Sequence, residues 1–315
     1  MKKVTVSAPG KLHISGEHAV VYGKPTLIVA ASLRMYVTLE RNATPLLTVV
    51  RKNDTYIDAI VRLFEKKYGI TIESDIGMNI SSAIPTRSGM GSSAALAVAL
   101  NGALMAWHGH PWNAQAVNEA AYQAEKTKHE NSSGGDPAVS THGGIIWYRK
   151  ELEFLKTLWL LPFKVPKKFA SIVLINTGRE ENTGDLVRHV AGIRQRDEAG
   201  FVVLLDAIET VTKDITRAIH DEDEAAFRTS IQQNEHLLEK MDIVSNNTMS
   251  FIRAIEAVGG AAKISGAGGR KKGSGVILAV HDDPKVLVDL AKTHGHPSFQ
   301  VGLGGEGVKL EQVLT

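Results

Sequence analysis

Ser88-Gly89-Met90-Gly91-Ser92-Ser93-Ala94-Ala95 leads directly into a strongly helix-forming stretch that runs on to Trp107. Two glycines let the backbone turn tightly and come close to a ligand. Two hydroxyls then stand at the start of a helix, where unpaired N–H groups and the positive end of the helix dipole face outward. Such a junction suits a phosphate chain. Taken alone it reads equally well as a serine-rich helix cap.

Two common nucleotide-binding designs do not fit. A Rossmann fingerprint places its glycines between a strand and a helix, with an acidic residue about 20 positions further on. Here a loop containing Pro85 and Arg87 intervenes, and residues 110–116 carry no acid. A Walker A loop ends in Gly-Lys-Ser/Thr, a tripeptide found nowhere in the chain. A nucleotide held at Ser88–Ala95 would therefore be held by a third design.

The whole chain bounds the possibilities. Its 315 residues suffice for two ordinary domains, and 43% of them are hydrophobic against 22% charged. The formal net charge is only +2, which gives no bulk electrostatic affinity for nucleic acid or a membrane surface. A small anion would need a local site. The absence of cysteine excludes disulfides, thiolate metal sites and cysteine nucleophiles. Met1–Val6 is basic but leads into a short alternating strand, not an apolar signal core. Ala94–Trp107, interrupted by Asn101, is too short to span a bilayer. A cytoplasmic location is expected.

Strand-like patterns cover Val4–Ala8, Thr26–Ala31 and Met35–Glu40, punctuated by Pro9-Gly10, Gly16 and Gly23-Lys24-Pro25. Residues 54–69 have helical spacing; a strand is predicted over Gly77–Ser82, a helix over Asn113–Lys128 and a turn over Asn131–Pro137. A strand over 143–148 follows. Pro162–Lys168 marks the expected junction between domains 1–164 and 165–315. Beyond it come a strand at Ser171–Asn176 and helices near 184–197, 199–220, 223–241 and 246–257. The chain ends with strands at Ala262–Ile264, Gly275–Val280 and Val308–Glu311, with a helix over Pro284–His294. Strands and helices mixed in both halves predict an α+β protein of two packed domains.

Three further segments carry chemistry. Ala8-Pro9-Gly10-Lys11-Leu12-His13-Ile14-Ser15-Gly16-Glu17-His18-Ala19-Val20-Val21 is either a surface hairpin with ordinary charges or an anion and polyol site. In the second reading Lys11 is the point charge and Glu17-His18 the hydrogen-bonding pair. The segment from Glu125 through His129-Glu130-Asn131-Ser132-Ser133-Gly134-Gly135-Asp136 sets a carboxylate near a helix end and another in a glycine-rich turn. A glutamate with a serine hydroxyl makes a partial shell for Mg²⁺, which keeps water and phosphate ligands. An aspartate in such a turn is also an ordinary local cap. Lys263-Ile264-Ser265-Gly266-Ala267-Gly268-Gly269-Arg270-Lys271-Lys272-Gly273-Ser274-Gly275 joins two predicted strands, with three cations that suit an anion.

Together these segments match the three motifs of the small-molecule kinases related to galactokinase, homoserine kinase, mevalonate kinase and phosphomevalonate kinase. The match spans the chain in order. Ala8-Pro9-Gly10-Lys11 followed by Gly16-Glu17-His18-Ala19-Val20-Val21-Tyr22-Gly23 most resembles the mevalonate-phosphorylating branch. Galactokinases continue Gly-Glu-His with Thr-Asp, and phosphomevalonate kinases carry Gly-Glu-Tyr.

The resemblance implies a two-domain small-molecule kinase fold: an N-terminal domain like domain 2 of ribosomal protein S5 and a C-terminal ferredoxin-like domain. It implies transfer of the γ-phosphate of ATP, with Mg²⁺, to the primary 5-hydroxyl of mevalonate, or else a sister kinase or decarboxylase acting on a phosphorylated mevalonate. In the family the loop Ser88, Gly89, Met90, Gly91, Ser92, Ser93 wraps the ATP phosphates, as do Gly266, Ala267 and Gly268. Ser93 and Glu125 fall at Mg²⁺-binding positions. Asp136 matches the catalytic base with Lys11 beside it, and Glu17, His18, Ser133 and Thr183 match positions near the acceptor. Homodimers are frequent in the group.

Two departures stand out. Glu130 and Ser132 replace a glycine and a proline of the usual second motif, and Arg270-Lys271-Lys272 interrupts a run of glycines in the third. Those cations can face ATP, a phosphate on the acceptor, or solvent.

Overall fold

The computed structural model describes residues 2–85, 88–128, 133–166, 169 and 172–314. In chain order the first part contains β1 (Lys3–Ser15), a 3₁₀ turn (Ala19–Tyr22), β2 (Pro25–Arg41), α1 (Leu47–Asn53), α2 (Thr55–Tyr68) and β3 (Ile76–Ser82). It continues through α3 (Ser92–Trp107), α4 (Ala114–Lys128), α5 (Gly135–His142), β4 (Ile145–Lys150) and β5 (Lys156–Leu160). The second part holds β6 (Val173–Asn176), α6 (Thr183–Arg196), α7 (Glu198–His220), α8 (Glu224–Lys240), α9 (Asn246–Ala257) and β7 (Ala261–Ser265). It closes with β8 (Val276–Val280), α10 (Pro284–Thr293), β9 (Ser298–Gln300) and β10 (Lys309–Leu314).

Two sheets result. One runs β10-β1-β2-β4-β5, with β3 also on β2; the other runs β7-β8-β6-β9. The two-domain α+β architecture expected from the sequence is the one seen. The last strand pairs antiparallel with β1, Val4 opposite Val313, so the first sheet is built from both ends of the chain.

Two strands are longer than their sequence patterns. Val4–Ala8 continues to Ser15, because Pro9-Gly10 sits at an irregularity in the β1–β2 register rather than at a strand end. Proline is tolerated there, since a bulge needs no ladder donor at that residue. Thr26–Ala31 and Met35–Glu40 likewise fuse into the single strand β2. Gly16 closes the hairpin at φ 88°, where a Cβ would stand 2.4 Å from the Pro25 carbonyl oxygen. Only glycine fits.

The core under the first sheet is filled by α3, whose small residues Ala95, Ala97, Ala99 and Ala103 are buried together with Val98, Leu100 and Leu104. A helix apolar on all sides belongs inside. Its one polar interior side chain, Asn101, donates to the Ala97 carbonyl at 2.8 Å. α2 begins at Asp54, which accepts from the N–H groups of Tyr56 and Ile57. The turn expected at 131–137 is in part a helix: α5 starts at Gly135, with Asp136 and Pro137 in its first turn, where proline has no N–H bond to forfeit. Residues 129–132 lie outside the described residues, as do Arg87, Lys167 and Lys168 of the expected domain junction, and Ser171. Three short elements, α1, β5 and β9, had no periodic pattern long enough to announce them.

Candidate active site

The far end of β1 is where the two parts of the chain meet. His13 N–H donates to Ser265 Oγ at 3.0 Å, and that hydroxyl lies 3.1 Å from the His13 carbonyl oxygen. Ser15 Oγ lies 2.6 Å from Thr212 Oγ1 of α7 and accepts from Asn234 Nδ2 of α8 at 2.9 Å. Whatever β1 presents at this end is therefore held against both domains.

It presents Lys11 and His13. Residues two apart on a strand share a face, and both side chains reach Asp136 in the first turn of α5. Lys11 Nζ is 3.2 Å from Asp136 Oδ2, and His13 Nε2 is 3.3 Å from Oδ1. Burial pulls the Asp136 carboxyl upward, but Lys11 and the His13 hydrogen bond outweigh it and hold the group well below the usual carboxylate range. Burial, with Lys11 adding to it, pushes His13 down and keeps the ring neutral near pH 7. Donation from Nε2 to the anionic Asp136 leaves Nδ1 facing the Thr26 hydroxyl at 3.1 Å. Lys11 is 5% exposed at its side chain and Asp136 32%, so the carboxylate keeps an open edge.

The Ser88–Ser93 loop packs on this pair. Lys11 N–H donates to the Met90 carbonyl at 2.9 Å, and Gly91, at φ 71°, leaves no room for a Cβ, which would lie 2.7 Å from Lys11 Cγ. Ser88 Oγ donates to the Pro85 carbonyl at 2.7 Å and accepts from Met90 N–H at 3.3 Å, so its hydroxyl braces the loop. Gly89 approaches the Ser265 carbonyl, and Gly266 approaches Gly89 in return. Ser92 opens α3, half-buried. The two glycine-rich segments, far apart in sequence, thus lie against each other. His18 Nε2 donates to the Ala267 carbonyl at 3.0 Å and fixes the second segment, while Gly268 packs on the Ile243 carbonyl.

Ser93 Oγ donates to Glu125 Oε1 at 2.7 Å, which brings together the two residues expected at a Mg²⁺ site. Glu125 is buried, and the Tyr56 hydroxyl of α2 donates to the same oxygen. Burial and the Glu125 charge push the Tyr56 phenol far up, so it remains a donor. Lys128 lies over the Tyr56 ring and within 3.4 Å of Ser93 Oγ. Among the described residues no group of three or more His, Asp or Glu is arranged to hold a metal. A hydroxyl beside a carboxylate still suits Mg²⁺, which takes few protein ligands.

The remaining expected residues are distributed around this centre. Ser133 Oγ accepts from Gly135 N–H at 3.2 Å, and its carbonyl accepts from the Tyr148 hydroxyl at the entry to α5. Thr183 is the first residue of α6, half-buried; nearby Glu181 accepts from the Arg270 N–H of the second glycine-rich segment. Glu17 turns inward, ion-paired with the fully buried Lys263. Arg270 pairs with Asp242 at 3.0 Å and Lys272 with Glu180 at 2.8 Å, all partly exposed.

His13, Lys263 and Ser265 stand inside the motifs but carry no assigned role in the sequence, and Tyr56 lies outside every motif. The two-residue spacing from Lys11 could have flagged His13. Nothing local marks Tyr56, whose partner is 69 residues away.

Residues 55–144 match the family described as the GHMP kinases N terminal domain. Mevalonate kinase of Thermococcus gammatolerans is 30% identical over 347 aligned positions, covering 99% of both chains, and that of Pyrococcus furiosus is 29% identical with the same coverage. The structure of L. major mevalonate kinase in complex with R-mevalonate shares the fold, with a TM-score of 0.78 over 95% of each chain at 22% identity. The chain belongs to the GHMP kinases, within the mevalonate kinase family. It is an enzyme, a kinase acting on a small molecule. No helix among the described residues is long and apolar enough to cross a membrane.

Proposed function

We propose that this protein transfers the γ-phosphoryl group of ATP to the 5-hydroxyl of mevalonate, giving 5-phosphomevalonate and ADP. The observation that carries the reading is the Lys11–Asp136 pair at 3.2 Å, set directly against the Ser88–Ser93 loop. The names of the relatives, and the R-mevalonate bound in a structure of the same fold, support the acceptor.

Phosphoryl transfer asks mainly for positioning and for neutralising charge. In this reading the loop N–H groups and the start of α3 receive the phosphates. Asp136, held ionised, accepts a hydrogen bond from the acceptor hydroxyl and takes its proton as the new P–O bond forms and the β–γ bridge of ATP breaks. Lys11 offsets the charge on the transferring group. His13 holds Asp136 in place through Nε2. Ser93 and Glu125 would hold Mg²⁺, which when bound supplies charge neutralisation at the phosphates. A phosphorylated acceptor has less support, because Arg270 and Lys272 already face carboxylates.

The test is ADP release by the purified protein with mevalonate, phosphomevalonate, homoserine, galactose and shikimate. Turnover of mevalonate is expected. Turnover of another member of the panel with none on mevalonate overturns the assignment, and release of carbon dioxide from a phosphorylated mevalonate points to a decarboxylase.

A further inference from the structure

Behind the Lys11–Asp136 pair lies a second group of charges that the proposed chemistry does not use. Lys263 of β7 and Glu17, just past β1, form an ion pair with side chains 0% and 1% exposed. Lys263 Nζ also lies 3.5 Å from the His13 carbonyl and donates to that of Ile264. Glu235 of α8 is buried on the same side, and its Oε2 accepts from Ile264 N–H at 2.8 Å. β7 is the edge of its sheet, so this side chain satisfies a backbone donor that no strand reaches. Lys263 is ion-paired with Glu17, and Glu235 feels the same cation without forming an ion pair to it. Glu17 Oε2 and Glu235 Oε1 are each buried without a partner among the described residues.

Two ionised carboxylates beside a single buried lysine leave an uncompensated charge, which is far costlier than one ion pair with a neutral acid. We propose that Glu235 is a positioning residue that works as the neutral acid, holding β7 and its glycine-rich continuation in register with the His13–Asp136 end of β1. The path is short. Glu235 bonds Ile264, its neighbour Ser265 bonds both the N–H and the carbonyl of His13, and His13 bonds Asp136. Ionisation of Glu235 places a second negative charge beside the Glu17–Lys263 pair and loosens that register.

The charges facing Glu235 are Lys263 from β7, Glu17 beyond β1 and Glu239 one turn along its own helix. Glu239 is itself paired with Arg253 of α9. Thr212, where α7 meets Ser15, carries no charge. Burial raises the Glu235 carboxyl from 4.5 to about 8, with Glu239 and Glu17 adding to the rise and Ile264 N–H and Lys263 opposing it. The sign follows. The unfolded chain gives up this proton near its ordinary value while the folded chain keeps it, so the stability contributed by the neutral acid falls as pH rises from about 4.5 and levels off above about 8.

The experiment compares the wild-type chain with E235Q, since an amide mimics the neutral acid and still accepts from Ile264 N–H. Wild-type kcat is expected to fall about tenfold from its neutral plateau by pH 9, as one group of this kind requires, whereas E235Q holds within about twofold. E235A, which leaves the Ile264 N–H unpaired, is expected to be impaired at every pH. The same fall in wild type and E235Q, or no fall in either, overturns the proposal. The activity arm rests on the proposed kinase reaction; two others do not. The thermal midpoint of the wild type should decline from pH 5 to 8 relative to that of E235Q, and equal slopes count against Glu235. Infrared titration of the unsubstituted protein should show a protonated buried carboxyl at pH 7 that is lost by pH 9. Its absence at pH 7 also overturns the proposal, whether or not E235Q folds.

Discussion

Two lysine–carboxylate pairs flank the same stretch of chain, Lys11–Asp136 on one side of His13 and Lys263–Glu17 on the other, and they differ in what surrounds the anion. Asp136 has a side chain 32% exposed, at the foot of a glycine-turned loop; Glu17 is 1% exposed. The first anion can meet a ligand hydroxyl. The second meets only protein, and its lysine is spent on holding β1 to β7. A buried ion pair contributes little net stability by itself, yet losing one partner leaves a charge stranded. Sealed pairs of this kind serve geometry, and open ones are available for chemistry.

The largest effect should come from breaking the open pair. D136N is expected to lower kcat by about 10²–10⁴-fold while ATP binding persists, read by steady-state kinetics beside nucleotide titration. Near-normal turnover would remove Asp136 from the proposed base role. Because Lys11 holds Asp136 ionised, its protonation should not cause any loss of activity on lowering the pH from 8 to 5.

Breaking the sealed pair should instead cost stability. K263M leaves Glu17 buried and unpaired, and about 3–5 kcal/mol of unfolding free energy should disappear in urea titrations. A loss comparable to that of an exposed pair would mean that water reaches the site and that the Lys263–Glu17 pair is not sealed. Between these extremes, Y56F removes the donor behind Glu125. It should weaken the apparent Mg²⁺ affinity about tenfold, seen as a shifted magnesium requirement at fixed ATP. An unchanged requirement would separate Tyr56 from the metal. The smallest effect is expected at R270A/K272A, where solvent screens both exposed pairs and turnover of mevalonate should stay near normal. A selective rise in KM for phosphomevalonate would instead revive the phosphorylated acceptor.

Much of this was legible along the chain. Most of the helices had clear periodicity, and the two glycine-rich segments announced themselves by composition. Lys11, Ser93, Glu125 and Asp136 were picked out by motif. Other features could not be read locally. β5 carries Lys156 and exposed Trp159, a pattern without alternation, and it is a strand because β4 pairs with it. Pro9-Gly10 looked like an end and is a register irregularity, since whether a strand survives a proline depends on its neighbour. Asp136 has the glycine-rich sequence context of a turn and stands in the first turn of a helix.

The alternation that makes the sheets, the apolar helix that fills the first core, the glycines that permit a close loop and the family to which the chain belongs are all written along the chain. Those properties are local, or are preserved as ordered motifs. Which lysine meets which carboxylate, and which of those pairs stays open, is set by the folded packing. Lys11 and Asp136 are 125 positions apart, and Glu17 and Lys263 246 apart. Charge, burial and protonation depend on neighbours brought together by packing, and no window along the chain contains them.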